Sequence, residues 1–103
     1  MKQVLFTIAA LAAVTLSAPA MADEALAKSK NCMACHAVDK KLVGPSYKDV
    51  AAKFGNQPGA VDMLAGRIQK GSQGVWGAVP MPPNANVNAD EAKKLATWVL
   101  SFK

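Results

Sequence analysis

The single histidine and both cysteines of this 103-residue chain fall within one short segment. They form the run Cys32-Met33-Ala34-Cys35-His36, which has the spacing C-x-x-C-H. A chain of this length holds one small domain at most, and small domains often need a cross-link, a metal or a covalent group to complete their core. The fold is therefore expected to form around this segment.

This spacing is the attachment motif of a c-type haem. Residues three apart on a helix share a face, so the thiols of Cys32 and Cys35 can add to the two vinyl groups on one edge of a porphyrin. The imidazole of His36 then lies close enough to bind the iron. We therefore predict one haem c, bound covalently through Cys32 and Cys35 and ligated by His36.

Two thiols and one imidazole could also bind zinc, act as a redox pair or form a disulfide. A structural zinc needs four ligands, more than the cysteines and the histidine supply. A thioredoxin-like redox pair requires a βαβ context, and a disulfide across C-x-x-C would constrain little of the chain. A dithiol oxidoreductase remains the alternative if no haem is attached.

Residues 1–22 have the layout of a secretory signal peptide. Lys2 supplies a positive start, residues 4–16 form an uncharged apolar run, and small residues at A-x-A spacing follow. A membrane anchor normally needs about 20 apolar residues, so membrane insertion is not expected. We expect cleavage after Ala22, with Ala20 as the alternative, export to the periplasm, and a working domain of residues 23–103.

The positive charge of the chain is diffuse. Lys and Arg number 12 against 7 Asp and Glu, and they are scattered along the sequence. Nucleic-acid grooves usually show a denser basic stripe with interleaved aromatic residues, so nucleic acid is not expected as a partner. Weak docking of a monomer to an acidic protein suits such a field better.

Apolar periodicity predicts an all-α domain of about four helices. The first is expected from Glu24 to Lys30, running into Cys32. The apolar faces of the others are Tyr47, Val50, Ala51 and Phe54, then Val61, Leu64, Ala65 and Ile68, then Ala92, Leu95, Ala96, Val99 and Phe102. Gly55 and Gly71 are expected to end the second and third helices, and Asn88 with Glu91 should form a capping box for the fourth.

An irregular loop is predicted between the third and fourth helices. Residues 71–84 contain three glycines and three prolines, which exclude a helix or a central strand. Val75, Trp76, Val79 and Met81 are too apolar for a solvated linker. Long loops in compact domains are usually functional, so this segment is a candidate part of the site.

The second axial ligand of the iron is predicted to be Met81. The chain has no second histidine, which leaves a methionine or a lysine. Met33 lies inside the attachment segment and cannot reach the opposite face, and Met63 lies off the apolar stripe of its helix. Prolines on both sides of Met81 can hold its thioether against a flat ring. If Met81 only fills a core gap, an open iron would suit a peroxidase or a gas sensor instead.

Residues 28–103 resemble the small bacterial class I cytochromes c of the c-551/c-552 type. The segments that carry the resemblance are Cys32 to His36, Lys41 to Pro45, Tyr47 to Phe54, Gly71 to Gly77, Pro80 to Asn84 and Trp98 to Leu100. The resemblance implies a single-domain class I cytochrome c fold, with its helices wrapped around one covalent haem c. It also implies a one-electron carrier and not an enzyme.

The resemblance implies roles for further side chains. The carbonyl oxygen of Pro45 would accept the Nδ1 proton of His36, which fixes the tautomer of the ring. Arg67 and the indole N–H of Trp76 would bind a haem propionate. The side chain of Asn84 would donate to the sulfur of the methionine ligand. A solvated helix charge is the alternative for Arg67, and a plain core residue is the alternative for Trp76.

The expected partners are acidic redox proteins that meet an exposed haem edge. The residues expected around this edge are the apolar Met33, Leu42, Val43 and Pro82 and the lysines Lys28, Lys30, Lys41, Lys48 and Lys53. The resemblance implies the haem-containing nitrite reductase of denitrification, terminal oxidases, peroxidases and blue-copper proteins as partner classes. The residues themselves do not choose among these partners.

Overall fold

Four α-helices and one 3₁₀ turn build the described part of the chain, residues 19–102, in this computed structural model. The helices are α1 (Pro19–Ser29), α2 (Tyr47–Phe54), α3 (Ala60–Lys70) and α4 (Ala89–Leu100), and the turn spans Cys32–Ala34. Within residues 19–102 no helix has the length and apolar character needed to span a bilayer. The predicted all-α class is confirmed, whereas most of the predicted signal peptide lies outside the described residues.

The prediction that the first helix runs into Cys32 is wrong. Helix α1 ends at Ser29, and Asn31 has a left-handed backbone with φ of 65°. A 3₁₀ turn then begins at Cys32 and is closed by the N–H of Cys35, which donates to the carbonyl oxygen of Cys32. Because side chains three apart are aligned in a 3₁₀ turn, the two thiols still share one side of the segment.

Helix α2 presents the predicted apolar face. Its four predicted apolar residues are all buried, as the spacing indicates. The backbone N–H of Asp49 donates to Oγ of Ser46 at 3.0 Å, which caps the helix N-terminus. Gly55 ends the helix with φ of −60°, so the left-handed glycine cap expected here is absent.

Helix α3 and the following loop form one wall of the domain. Leu64 and Ala65 are buried, whereas Val61 and Ile68 are half-buried. Gly71 ends the helix as predicted, with φ of 82° and ψ of 175°. The chain from there to α4 is irregular, and an isolated two-stranded bridge between Ser72 and Met81 closes its central part.

The capping box predicted for α4 is confirmed. The backbone N–H of Glu91 donates to Oδ1 of Asn88 at 2.8 Å, and the N–H of Asn88 donates to Oε1 of Glu91 at 3.1 Å. Nζ of Lys30 lies 3.4 Å from the same carboxylate and donates to the carbonyl oxygen of Asn86 at 2.8 Å. The N–H of Asn88 and the ammonium of Lys30 lower the pKa of Glu91.

Helix α4 packs against the other three helices and carries the core. Ala27 of α1 and Ala92 and Ala96 of α4 are fully buried, so small side chains let the two helices approach closely. Trp98 is also buried, although the predicted apolar face did not include it. Its ring lies edge-on to Tyr47, with a centroid distance of 5.1 Å.

The capping box predicts a measurable contribution to stability. Asn88→Ala removes the side-chain acceptor for the N–H of Glu91 and is expected to lower the free energy of unfolding by about 1 kcal/mol. Urea unfolding of the haem-loaded protein, followed by circular dichroism, measures this loss. Asn86→Ala is the control, because its side chain is exposed and its carbonyl oxygen, which Lys30 contacts, is retained. Equal losses in the two variants would contradict the prediction.

Candidate haem site

The predicted site residues converge on one cavity of about 410 Å³, a size typical of small-molecule sites. The eight predicted residues that line it are Cys32, Cys35, His36, Pro45, Arg67, Trp76, Met81 and Asn84. They come from the attachment segment, from the chain just before α2, from α3 and from the loop before α4. The fold therefore gathers residues that are up to 52 positions apart (84 minus 32) around a single space.

Both cysteines line this cavity and are half-buried. Burial raises the pKa of the Cys32 thiol. Their alignment by the 3₁₀ turn is the arrangement that attachment to one edge of a porphyrin requires.

The ring of His36 is held in a single orientation. Its Nδ1 lies 2.8 Å from the carbonyl oxygen of Pro45, which is the contact that the resemblance implies. A carbonyl oxygen only accepts, so this bond places the hydrogen on Nδ1 and leaves the Nε2 lone pair for a metal. Tyr47 stacks on the ring at a centroid distance of 5.2 Å and an angle of 22°. A Cβ atom at Gly44 would lie 2.7 Å from Cε1 of His36, so the backbone there lies directly against the imidazole.

Tyr47 and Gly44 are contributors to the site that the sequence reasoning missed. Tyr47 belongs to the apolar stripe of α2, and its pattern gives no reason to assign it more than a core role. Its buried position raises the pKa of the phenol, which stays protonated beside the imidazole. Gly44 precedes Pro45 directly, and a glycine next to a residue with a site role is a signal of close backbone approach.

The main chain of Met81 is fixed by two hydrogen bonds. Its N–H donates to the carbonyl oxygen of Ser72 at 2.9 Å, and its own carbonyl oxygen accepts from the N–H of Ser72 at 3.0 Å. Among Met33, Met63 and Met81, only Met81 lines the cavity.

The side chain of Asn84 has a different partner from the one that the resemblance implies. Its Nδ2 donates to the carbonyl oxygen of Ile68 at 2.8 Å. The amide carries a second hydrogen, so donation to the Met81 sulfur stays a prediction. The bond to Ile68 ties the loop to the end of α3.

Arg67 provides the strongest test of whether the cavity fits a haem. Its Nη1 is buried and has no hydrogen-bond partner within the described residues. The guanidinium lies 5.2 Å from the ring centroid of Phe54. A buried donor without an acceptor is costly, and a carboxylate of the cofactor would satisfy it. Because Arg67 is half-buried, it does not have the exposure of a solvated helix charge, which was the alternative for this residue.

Trp76 lies at the rim of the cavity and is 38% exposed, so it is not a plain core residue. Its ring is edge-on to Phe54 at a centroid distance of 6.1 Å, and Nζ of Lys53 lies 5.3 Å from its centroid. Val79, another apolar residue of this loop, is 61% exposed. Both line the cavity, where a flat apolar ligand would cover part of their surface.

The family profile and similar known proteins point to the same family. The profile of the cytochrome c family matches residues 22–103. Cytochrome c-551 of Pseudomonas aeruginosa is 66% identical over 80 residues, which cover 78% of this chain and 76% of that protein. Cytochrome c-552 of Hydrogenobacter thermophilus is 56% identical over 93 residues, which cover 90% of this chain and 94% of that protein.

A solved structure shows the same fold. The crystal structure of wild-type Nitrosomonas europaea cytochrome c552 superposes with a TM-score of 0.76 at 54% identity, covering 78% of this chain and 99% of that chain. Together with the covalent attachment motif at Cys32 and Cys35, these matches establish the bound group as haem c and the protein as an electron carrier and not an enzyme. The chain belongs to the cytochrome c family, within the small class I group of the c-551/c-552 type.

Proposed function

We propose that this chain is a periplasmic one-electron carrier whose haem iron is ligated axially by His36 and Met81. It passes electrons to a respiratory reductase or oxidase, such as the haem-containing nitrite reductase of denitrification. The observation that carries the proposal is the orientation of His36. Its bond to Pro45 leaves the Nε2 lone pair available for a metal, in a cavity that Met81 also lines.

The bound haem supplies an iron that takes up and returns one electron. The Pro45 carbonyl keeps the imidazole of His36 in the Nδ1–H tautomer and increases its basicity as a ligand. The thioether of Met81 is a soft, neutral ligand that favours the reduced state. Two protein ligands leave no coordination position for peroxide or a gas, which favours electron transfer over the open-site alternative.

Arg67 and Trp76 are proposed to hold a haem propionate. The buried Nη1 of Arg67 is a charged donor that needs an anionic acceptor, and the indole N–H of Trp76 is a donor at the rim. Phe54 contacts both side chains, with Arg67 over its ring and Trp76 at its edge. These contacts limit the rotamers of both donors, which orients them for a carboxylate.

Some of the residues expected around the haem edge are exposed, and others are held by contacts within the chain. Leu42 is 43% and Val43 57% exposed, so both can form an apolar contact with a partner. Lys30 is occupied by its contacts with Asn86 and Glu91, and Met33 packs against the core. Lys41 is exposed at the cavity rim, where its backbone pairs with that of His36. Small redox interfaces with charge steering permit fast release.

Delivery to the periplasm rests on the predicted signal peptide at residues 1–22. Docking of a monomer to an acidic redox protein then follows from the diffuse positive charge and the exposed apolar rim.

The axial ligand is tested with Met81→Ala. The oxidised haem-loaded wild type is expected to show the weak absorption band near ~700 nm that a methionine–iron bond produces. Met81→Ala is expected to lose this band, to bind azide and to have a lower reduction potential. Met63→Ala is the control, because Met63 packs against the core and does not line the cavity. An unchanged potential in Met81→Ala would show that another residue ligates the iron.

The role of Arg67 is tested by its effect on the potential. A buried positive charge near the iron favours the reduced form and is screened little by salt. Arg67→Gln is therefore expected to lower the reduction potential more than Lys70→Gln, which removes an exposed charge from the same helix. Potentiometric titration of both variants measures the difference. Equal changes in potential would place Arg67 among the solvated helix charges.

Charge steering is tested with hexacyanoferrate(III), an anionic electron acceptor. Lys41→Gln is expected to slow oxidation of the reduced protein at low ionic strength, with little effect at high ionic strength where exposed charges are screened. Lys94→Gln is the matched control, since this exposed lysine of α4 does not line the cavity. Lys28 is less suitable, because Glu24 pairs with it at 3.1 Å. The same loss of rate in both variants would exclude steering by the cavity rim.

A further inference from the structure

At the end of α3, backbone groups that could continue the helix form hydrogen bonds with the loop that carries Met81. The N–H of Ser72 would continue the helix by donating to the carbonyl oxygen of Ile68, but it donates to the carbonyl oxygen of Met81 at 3.0 Å. The freed carbonyl oxygen of Ile68 accepts from the backbone N–H of Asn84 at 3.2 Å and from its Nδ2 at 2.8 Å. Ser72, just after the helix, thus holds the loop at Met81, and the unpaired terminal carbonyl of Ile68 holds it at Asn84.

Gly71 lies where the two segments touch. A Cβ atom at this position would lie 2.5 Å from the carbonyl oxygen of Met81, 3.0 Å from the nitrogen of Pro83 and 3.1 Å from the carbonyl carbon of Pro82. All three are backbone atoms, and two belong to prolines whose φ is fixed. The loop therefore cannot relieve a clash by rotating a side chain. The close contact is possible only because residue 71 has no side chain.

We infer that Gly71 is a positioning residue for the Met81 ligand, an inference that rests on the proposed function. The absence of a side chain lets the peptide after Met81 lie against the end of α3, where Ser72 holds the main chain of Met81 by two hydrogen bonds. Any side chain at residue 71 pushes this peptide away and breaks the bridge. The thioether of Met81 then loses its fixed distance from the iron, while His36 and the cysteines keep their places.

Gly74 provides a control for the effect of alanine at a residue with positive φ. Gly74 lies in the same loop with φ of 75°, close to the 82° of Gly71, and a Cβ atom there would meet nothing within 4 Å. Alanine is unfavourable at either position because φ is positive, and at residue 71 the ψ of 175° adds to the cost, since this combination is essentially restricted to glycine. Only alanine at residue 71 adds the clash with the Met81 peptide, and Gly74→Ala controls for a positive φ in the same loop.

The experiment compares the oxidised haem-loaded Gly71→Ala and Gly74→Ala proteins. Gly71→Ala is expected to lose the methionine–iron absorption band and to bind azide at least about tenfold more tightly than Gly74→Ala. Gly74→Ala is expected to keep the wild-type band. In a Met81→Ala background, Gly71→Ala should change azide affinity no further, because both changes act through one ligand. A retained band in Gly71→Ala, or an additive effect in the double variant, would overturn the inference.

A second measurement does not depend on the folding of Gly71→Ala. If the bridge positions Met81, binding of Met81 to the iron must stabilise the bridge by the same free energy. Amide exchange of the Ser72 N–H is therefore expected to be faster in Met81→Ala than in Met63→Ala, and equal exchange would overturn the inference. The wild-type spectrum separates the two proposals: a missing band there refutes ligation by Met81 itself, whereas a band that survives Gly71→Ala refutes only the role of Gly71.

Discussion

The hydrogen bond between Nδ1 of His36 and the carbonyl oxygen of Pro45 is the interaction on which the site depends. It selects the tautomer, and with Tyr47 and Gly44 against the ring it leaves the imidazole one orientation. The attachment segment fixes the position of the ring along the chain, and this bond fixes its direction. The loop that carries Met81 is held in a similar way, because backbone groups at the end of α3 and just after it form hydrogen bonds with the loop.

Much of the fold could be predicted because its signals are local. The apolar stripes of α2 and α4 repeat at helical spacing, and the cap at Asn88 involves a partner only three residues away. The end of α1 could not be predicted, since the left-handed backbone of Asn31 has no marker as strong as a glycine. Gly55 shows the reverse, because a glycine after a helix permits a left-handed cap without requiring one.

The site was predictable to the extent that its chemistry follows residue type. The C-x-x-C-H motif identifies the haem attachment, and elimination among ligands leads to Met81. The roles of Pro45 and Arg67 came only through the resemblance, because a carbonyl acceptor and a buried guanidinium have no sequence pattern of their own. The two-bond bridge at Ser72 depends on how two distant segments meet, which neither composition nor periodicity specifies.

Lys30 has a topological consequence. Its ammonium binds the carbonyl oxygen of Asn86, 56 positions away, beside the crossing of α1 and α4. This contact closes a ring of chain between residues 30 and 86, and all eight predicted site residues lie within that ring. Doubling the length of such a closed ring adds only ~0.6 kcal/mol of closure entropy, so inserted surface residues within it are thermodynamically cheap. A larger side chain at Ala27, Ala92 or Ala96 would instead force the two helices apart, which typically costs about 1–3 kcal/mol.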